Sequence, residues 1–263
     1  SNVTDTFTYT QSIGGGATTK TLTIHVIPSQ DLTARNDTGN INEGGTLTVS
    51  NSSNATSVDT ATFSSSNSYS SQYPSNSSDV IFNDDGTKMY VSDSSTGYIY
   101  HYNLSTAFDV SSASYLNAYA SGVGVQSMAF NNDGTKWFIL NTTQIREYSV
   151  STGFDTTASN VSATTTSTLS SQDATMMGVT FNNDGTKMFV VGENGADVNE
   201  YTLSTGFDVS TASFVDSFDV SGQETTSTEV RFNADGTKMF VLGDSGNDVN
   251  EYTLTTGFDV STA

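Results

Sequence analysis

Hydrophobic and polar positions alternate in short runs along most of this chain, and the runs recur. In the clearest stretch, Met177 to Phe181 and Lys187 to Val191 are apolar-rich, and Asn-Asn-Asp-Gly-Thr separates them. Short alternating runs bounded by Asn, Asp and Gly are the pattern of paired β-strands. Asp-Gly supplies the positive backbone angle of a tight turn, and Asn and Asp side chains bond their own backbone nearby. The stretch predicts a hairpin bent at Asp184-Gly185, a third strand at about Asp197 to Ser204, and a fourth at about Ser213 to Val220 after Thr-Gly-Phe-Asp.

The same unit occurs four times. Phe-Asn-x-Asp-Gly-Thr-Lys begins at Phe82, Phe130, Phe181 and Phe232, with spacings of 48, 51 and 51 residues. A tyrosine (Tyr102, Tyr148, Tyr201, Tyr252) and then a Phe-Asp pair (Phe108, Phe154, Phe207 and Phe258 with the next residue) follow in each copy. Asp85-Gly86, Asp133-Gly134 and Asp235-Gly236 are the counterparts of Asp184-Gly185. Four antiparallel strands in about 50 residues match a β-propeller blade, whereas a helical solenoid needs amphipathic helices that are absent here. The expected fold is all-β, a propeller of four-stranded antiparallel blades over residues 57–263. Phe82, Val91, Phe130, Phe138, Phe181, Phe189, Phe232 and Phe240 are its core candidates.

The fourth copy stops at Ala263, where its outermost strand is due, and Ala61 to Ser70 reads as a strand without a blade. Two readings stay open: that segment closes a four-blade ring by pairing with the last copy, or further blades complete a larger ring. Residues 1–56 show one β-hairpin, Thr4 to Gln11 against Thr19 to Ile27, then a linker and a strand signal at Thr46 to Ser50.

Composition narrows the function. Hydrophobic residues are 34% and charged residues 14%, so uncharged polar residues fill the strands' wet faces, while 11% aromatics recurring at fixed intervals argue for order. A net charge of -20 repels phosphate backbones and anionic lipid, so neither nucleic acid nor membrane insertion is expected. With no Cys, disulfides and thiolate chemistry are excluded.

At the residue level the chain resembles two families. Thr-Asp-Thr-Phe-Thr-Tyr-Thr, Thr-Lys-Thr-Leu-Thr-Ile-His-Val-Ile and Ala-Arg-Asn-Asp-Thr-Gly-Asn-Ile-Asn-Glu-Gly-Gly-Thr-Leu-Thr-Val resemble the junction between two cadherin-like, VCBS-type modules of very large bacterial surface adhesins. The repeats resemble the Asp-Gly-Thr-Lys propellers of secreted proteins from marine bacteria and their phages. The resemblance implies an extracellular, cell-surface or virion-surface location. It also implies calcium between cadherin-like modules, although only Asn36-Asp37 matches their Asp-x-Asn-Asp-Asn linker.

Candidate chemistry is sparse. His25 lies in an alternating strand, and His101 stands where the other copies have Glu147, Glu200 and Glu251, as a variable structural position would. With no nucleophile motif, phosphate loop or histidine-carboxylate metal spacing, the expectation is a chain that is not an enzyme and requires no cofactor. Calcium is the candidate ion, at Asn36 and Asp37 and in the acidic loops holding Glu193, Asp197, Asp244 and Asp248. The Asp-Gly turns offer too few carboxylates and read as structural. Lys88, Lys136, Lys187 and Lys238 each follow a turn, and the turn Asp is their expected partner. Tyr69, Tyr73, Tyr98, Tyr100 and Trp137 are candidate platforms for a sugar. The expected role is a non-catalytic binding or spacer module of a large secreted adhesion protein, with a protein or glycan on a surface as partner. The alternative is a self-associating component of a surface layer, filament or phage appendage.

Overall fold

In the computed structural model, the described residues are 3–13, 16–26, 64, 66, 76–169 and 171–263. Two compact units divide the chain, Ser1–Thr62 and Phe63–Ala263. The first contains one antiparallel hairpin, β1 (Val3–Ile13) against β2 (Gly16–Val26), in unbroken register from Val3 opposite Val26 to Ile13 opposite Gly16. Asn36, Asp37, Thr46 to Ser50, Tyr69, Tyr73 and, apart from Ser64 and Ser66, the segment Ala61 to Ser70 lie outside the described residues.

In the second unit the sheets are arranged as four blades of a β-propeller. Blade 1 is β3 (Ser77–Phe82), β4 (Lys88–Asp93), β5 (Tyr98–Leu104) and β6 (Ala113–Ala120). Blade 2 is β7 (Ser127–Phe130), β8 (Lys136–Leu140), β9 (Gln144–Val150) and β10 (Val161–Thr168). Blade 3 is β11 (Met176–Phe181), β12 (Lys187–Gly192), β13 (Asp197–Leu203) and β14 (Ala212–Asp219). Blade 4 contributes β15 (Ser227–Phe232), β16 (Lys238–Gly243) and β17 (Val249–Thr253), and no strand lies beyond β17 among the described residues. Among the described residues helix is limited to short 3-10 turns after Phe108-Asp109, Phe207-Asp208 and Phe258-Asp259, and none is long and apolar enough to cross a membrane.

The hairpin bends form as their residue types dictate. Gly185 takes φ +71, its amide bonds the Asn182 carbonyl, and Asp184 Oδ1 accepts from the amide (3.0 Å) and hydroxyl of Thr186. Those bonds, the hydroxyl's first, hold the Asp184 carboxyl below its usual range. Asn182 Oδ1 closes the loop on the Lys187 amide at 2.9 Å. Asn83, Asn131 and Asn233 do the same in their copies.

Each turn then receives a second one. The amide of Phe207 bonds the Gly185 carbonyl at 3.0 Å, and its ring lies where a side chain on Gly185 would be. Phe108, Phe154, Phe207 and Phe258 all adopt φ between 56 and 61, a left-handed conformation uncommon for a bulky residue. The carbonyls of Phe154, Phe207 and Phe258 accept from lysines of the preceding blade.

Core packing lies between blades. Phe189, Val191, Val198 and Val220 of blade 3 bury against Val230, Met239, Val241, Leu254 and Val260 of blade 4. Of the expected core, Phe138 and Phe189 are fully buried and Val91 is buried. Phe82, Phe130, Phe181, Phe232 and Phe240 are only half-buried. The first four end the inner strands, where they meet the rings of Phe108, Phe154, Phe207 and Phe258 at 5.2–5.6 Å. The position after each lysine, Met89, Trp137, Met188 and Met239, is instead at most 1% exposed.

Candidate functional site on the propeller axis

Inner strands β3, β7, β11 and β15 run side by side in blade order. The residue three positions before the Phe of each turn motif is Asp79, Ser127, Gly178 and Glu229, and these four positions converge. Ser127 Oγ lies 3.2 Å from Asp79 Oδ2 and 3.4 Å from Glu229 Oε2, and it accepts the Val179 amide at 3.3 Å. Asp79 Oδ2 also accepts the Met128 amide at 2.7 Å. Gly178 is glycine for want of space: a Cβ there would meet the Glu229 Cα at 2.8 Å and the Thr228 carbonyl at 2.9 Å.

Arg231 completes the cluster. Its Nη1 donates to Glu229 Oε1 at 2.6 Å and to the Val179 carbonyl at 3.0 Å, and Nη2 lies 3.9 Å from Asp79. Burial raises the carboxyl of Asp79 in spite of Arg231. Burial pushes Glu229 up to about 8; the guanidinium opposes the shift and neighbouring Asp79 adds to it. Two carboxyls this close cannot both ionise cheaply out of water, so burial and mutual repulsion favour a proton held by the pair.

Beside this cluster opens a cavity of about 200 Å³. The residues just before each Phe, namely Ile81, Ala129, Thr180 and Arg231, line it together with Phe130 and Asn132. The Arg231 side chain is 40% exposed, so its guanidinium is reachable from the opening. The volume is below the roughly 300–1,000 Å³ of drug-sized ligand pockets and suits one small polar ligand. Neither the cluster nor the cavity is visible as a motif in the sequence. The signal is positional: Asp79 and Glu229 occupy the same register as a serine and a glycine.

The expected sites fall elsewhere. Glu193 and Asp244 are exposed, Asp197 accepts from Asn199 at 2.8 Å, and Asp248 accepts from Asn250 at 2.9 Å. Their loops are held by acids the sequence reading passed over. Asp173 accepts the amides of Thr175 (2.7 Å) and Gly195 (3.0 Å), and Glu224 those of Thr226 (2.7 Å) and Gly246 (2.9 Å). Among the described residues no group of three or more His, Cys, Asp or Glu is placed to hold a metal ion. Trp137 is no sugar platform, because it is fully buried and stacks on Phe130 at 5.6 Å; Tyr100 is buried, and Tyr98 is 44% exposed.

The lysines also differ from expectation. Lys88, Lys136 and Lys187 reach across the blade boundary instead of back to the turn Asp. Lys136 Nζ bonds Glu147 at 2.8 Å and the Phe207 carbonyl at 2.5 Å, and Lys187 bonds Glu200 at 2.6 Å and the Phe258 carbonyl at 2.6 Å. The second oxygens of Glu147 and Glu200 accept the amides of Val209 and Val260 in the next blade. The register expected to be variable is thus an inter-blade latch. In blade 1, His101 fills it and meets Thr156 Oγ1 at 3.4 Å, while Lys88 bonds the Phe154 carbonyl at 3.3 Å.

The chain matches no described family and no curated protein. Solved structures match its propeller. A Lactobacillus plantarum protein is 14% identical with a TM-score of 0.50, covering 68% of this chain and 51% of that one. The β-propeller domain of Myceliophteria thermophila Cps50 (Swd1) is 10% identical with a TM-score of 0.46, covering 68% and 54%. The Pseudomonas aeruginosa periplasmic gluconolactonase is 14% identical with a TM-score of 0.46, covering 71% and 51%. The chain spans about half the length of these structures, and the likeness shows the fold alone. It also corrects the expectation of a chain that is not an enzyme. Two putative 6-phosphogluconolactonases, from Bacteroides fragilis and Bacteroides uniformis, and the periplasmic gluconolactonase are among the solved propellers it is similar to.

Proposed function

We propose that the propeller is a glycan-binding module of a large secreted surface protein, and that a terminal sugar enters the axial cavity. The observation that carries this reading is the convergence of Arg231, Asp79, Glu229 and Ser127 beside an opening of about 200 Å³. A sugar presents hydroxyls that both donate and accept. The Arg231 guanidinium and the Asn131 and Asn132 amides answer them, the buried Asp79 and Glu229 carboxyls hold the guanidinium from behind, and Phe130 and Phe154 offer apolar faces at the rim. The acidic surface and the resemblance to adhesin modules support an extracellular setting. Glycan-array binding by the full chain, with loss of at least tenfold on Arg231→Ala, is the expected result. A blank array, or equal binding by the variant, would remove the reading.

A second reading, self-association within a surface layer, filament or phage appendage, draws on Leu242 and Val249 of blade 4, which are 44% and 54% exposed. Concentration-dependent light scattering of the full chain separates it from the first.

A further inference from the structure

Blade 4 carries the complete latch on the face away from blade 3, and no described residue occupies it. Lys238 and Glu251 occupy the register of Lys187 and Glu200, but they bond each other and no other described residue. Each side chain is 42% exposed, against 28% for Lys187 and 3% for Glu200. The apolar row beside them is bare as well. Leu242 is 44% exposed where Val191 is buried, and Val249 is 54% exposed where Ile99, Ile145 and Val198 are fully buried. Among the described residues β17 pairs β16 alone.

We propose that this face of blade 4 is a docking surface for one further blade of the same repeat type. The three boundaries within the molecule define its chemistry. The occupant presents a Phe carbonyl in the left-handed conformation to Lys238, the amide two residues later to Glu251, and an apolar row like Met239, Val241 and Leu254 to Leu242 and Val249. Blade 1 of a second copy fits less well, because Met89, Tyr102 and Leu104 on the side of blade 1 facing away from blade 2 are already buried, at 1%, 1% and 5% exposure. The surface is separate from the axial cavity, so the proposal is independent of the glycan reading.

The test extends the full chain. Residue Ala263 matches Ala212 in the repeat, so a copy of Ser213 to Ala263 placed after it supplies an outer strand beside β17 and three strands of a further blade. A control extension carries Ser213 to Val220 alone. In the 51-residue extension, Glu251→Gln is expected to lower the folding equilibrium constant at least tenfold in urea, as Glu200→Gln does in every version. In the unextended and control chains the same change is expected to move it less than twofold. Hydrogen exchange is expected to show protected amides in the added blade. Freely exchanging amides in the added blade, or an equal effect of Glu251→Gln in all three chains, would overturn the proposal. So would a dimer of the unextended chain that Glu251→Gln abolishes, since a second copy would then be the occupant.

Discussion

Glu200 accepts the backbone amide of Val260 at 3.0 Å, across the boundary between blades 3 and 4. Its other oxygen holds Lys187, which in turn donates to the Phe258 carbonyl. One carboxylate therefore satisfies a buried amide and aims a cation at a carbonyl in the same turn. Removing it strands the Val260 amide out of water and takes the half-buried Lys187 ammonium's carboxylate away.

Glu200→Ala is expected to destabilise the chain by about 3 kcal/mol, the scale for breaking one side of a buried, hydrogen-bonded pair. Glu251→Ala, where both partners are exposed, is expected to change stability by less than about 1 kcal/mol. Urea unfolding of the two variants side by side measures the contrast.

Gly185→Ala meets two penalties. The residue sits at φ +71, and the added methyl would fall 2.2 Å from Cδ2 of Phe207. A loss of about 1–3 kcal/mol is expected, readable as a lower thermal midpoint. Gly222, also a glycine but with nothing within 4 Å of a built Cβ, is the control and is expected to tolerate Ala.

Glu229 gives stability a pH dependence of definite sign. Its folded-state carboxyl is raised from the model-compound value of 4.5 to about 8, so the folded chain keeps a proton that the unfolded chain gives up. Its contribution is complete below about pH 4.5 and is lost as pH rises through about 8. Glu229→Gln is expected to flatten the decline in unfolding free energy between pH 5 and pH 8.

His101 shifts the other way. Burial lowers its imidazole to about 4, with Lys88 adding to the effect and Asp155 opposing it. The folded chain excludes a proton that the unfolded chain binds below about 6.5, so stability from this group is lost as pH falls through about 4. A proton NMR titration of the folded chain is expected to show the His101 ring titrating near 4. A midpoint near 6.5 would contradict its burial.

Blade architecture was legible because it rests on local chemistry repeated four times. Asn, Asp, Gly and Thr each bond within their own turn, so Asp184-Gly185 could be read as a bend from neighbouring letters alone. The axial site was not legible, because Asp79 and Glu229 are 150 positions apart in sequence and meet only when the four inner strands converge. The latch left a trace that was misread. Glutamate recurs three times at one register, and its substitution by His101 looked like tolerance, when it marks a boundary joined by different chemistry. Propeller likeness likewise leaves binding and catalysis undivided, since the fold hosts both.

The boundary between blades 1 and 2 is a private pairing. His101 meets a threonine hydroxyl there, while the two later boundaries exchange a carboxylate for a main-chain amide. Shuffling the repeats is therefore not symmetric. Blade 4 can follow blade 2 with its receiving amide intact, but inserting any other unit between the first pair leaves an imidazole facing a valine, Val110, Val209 or Val260, at the register of Thr156.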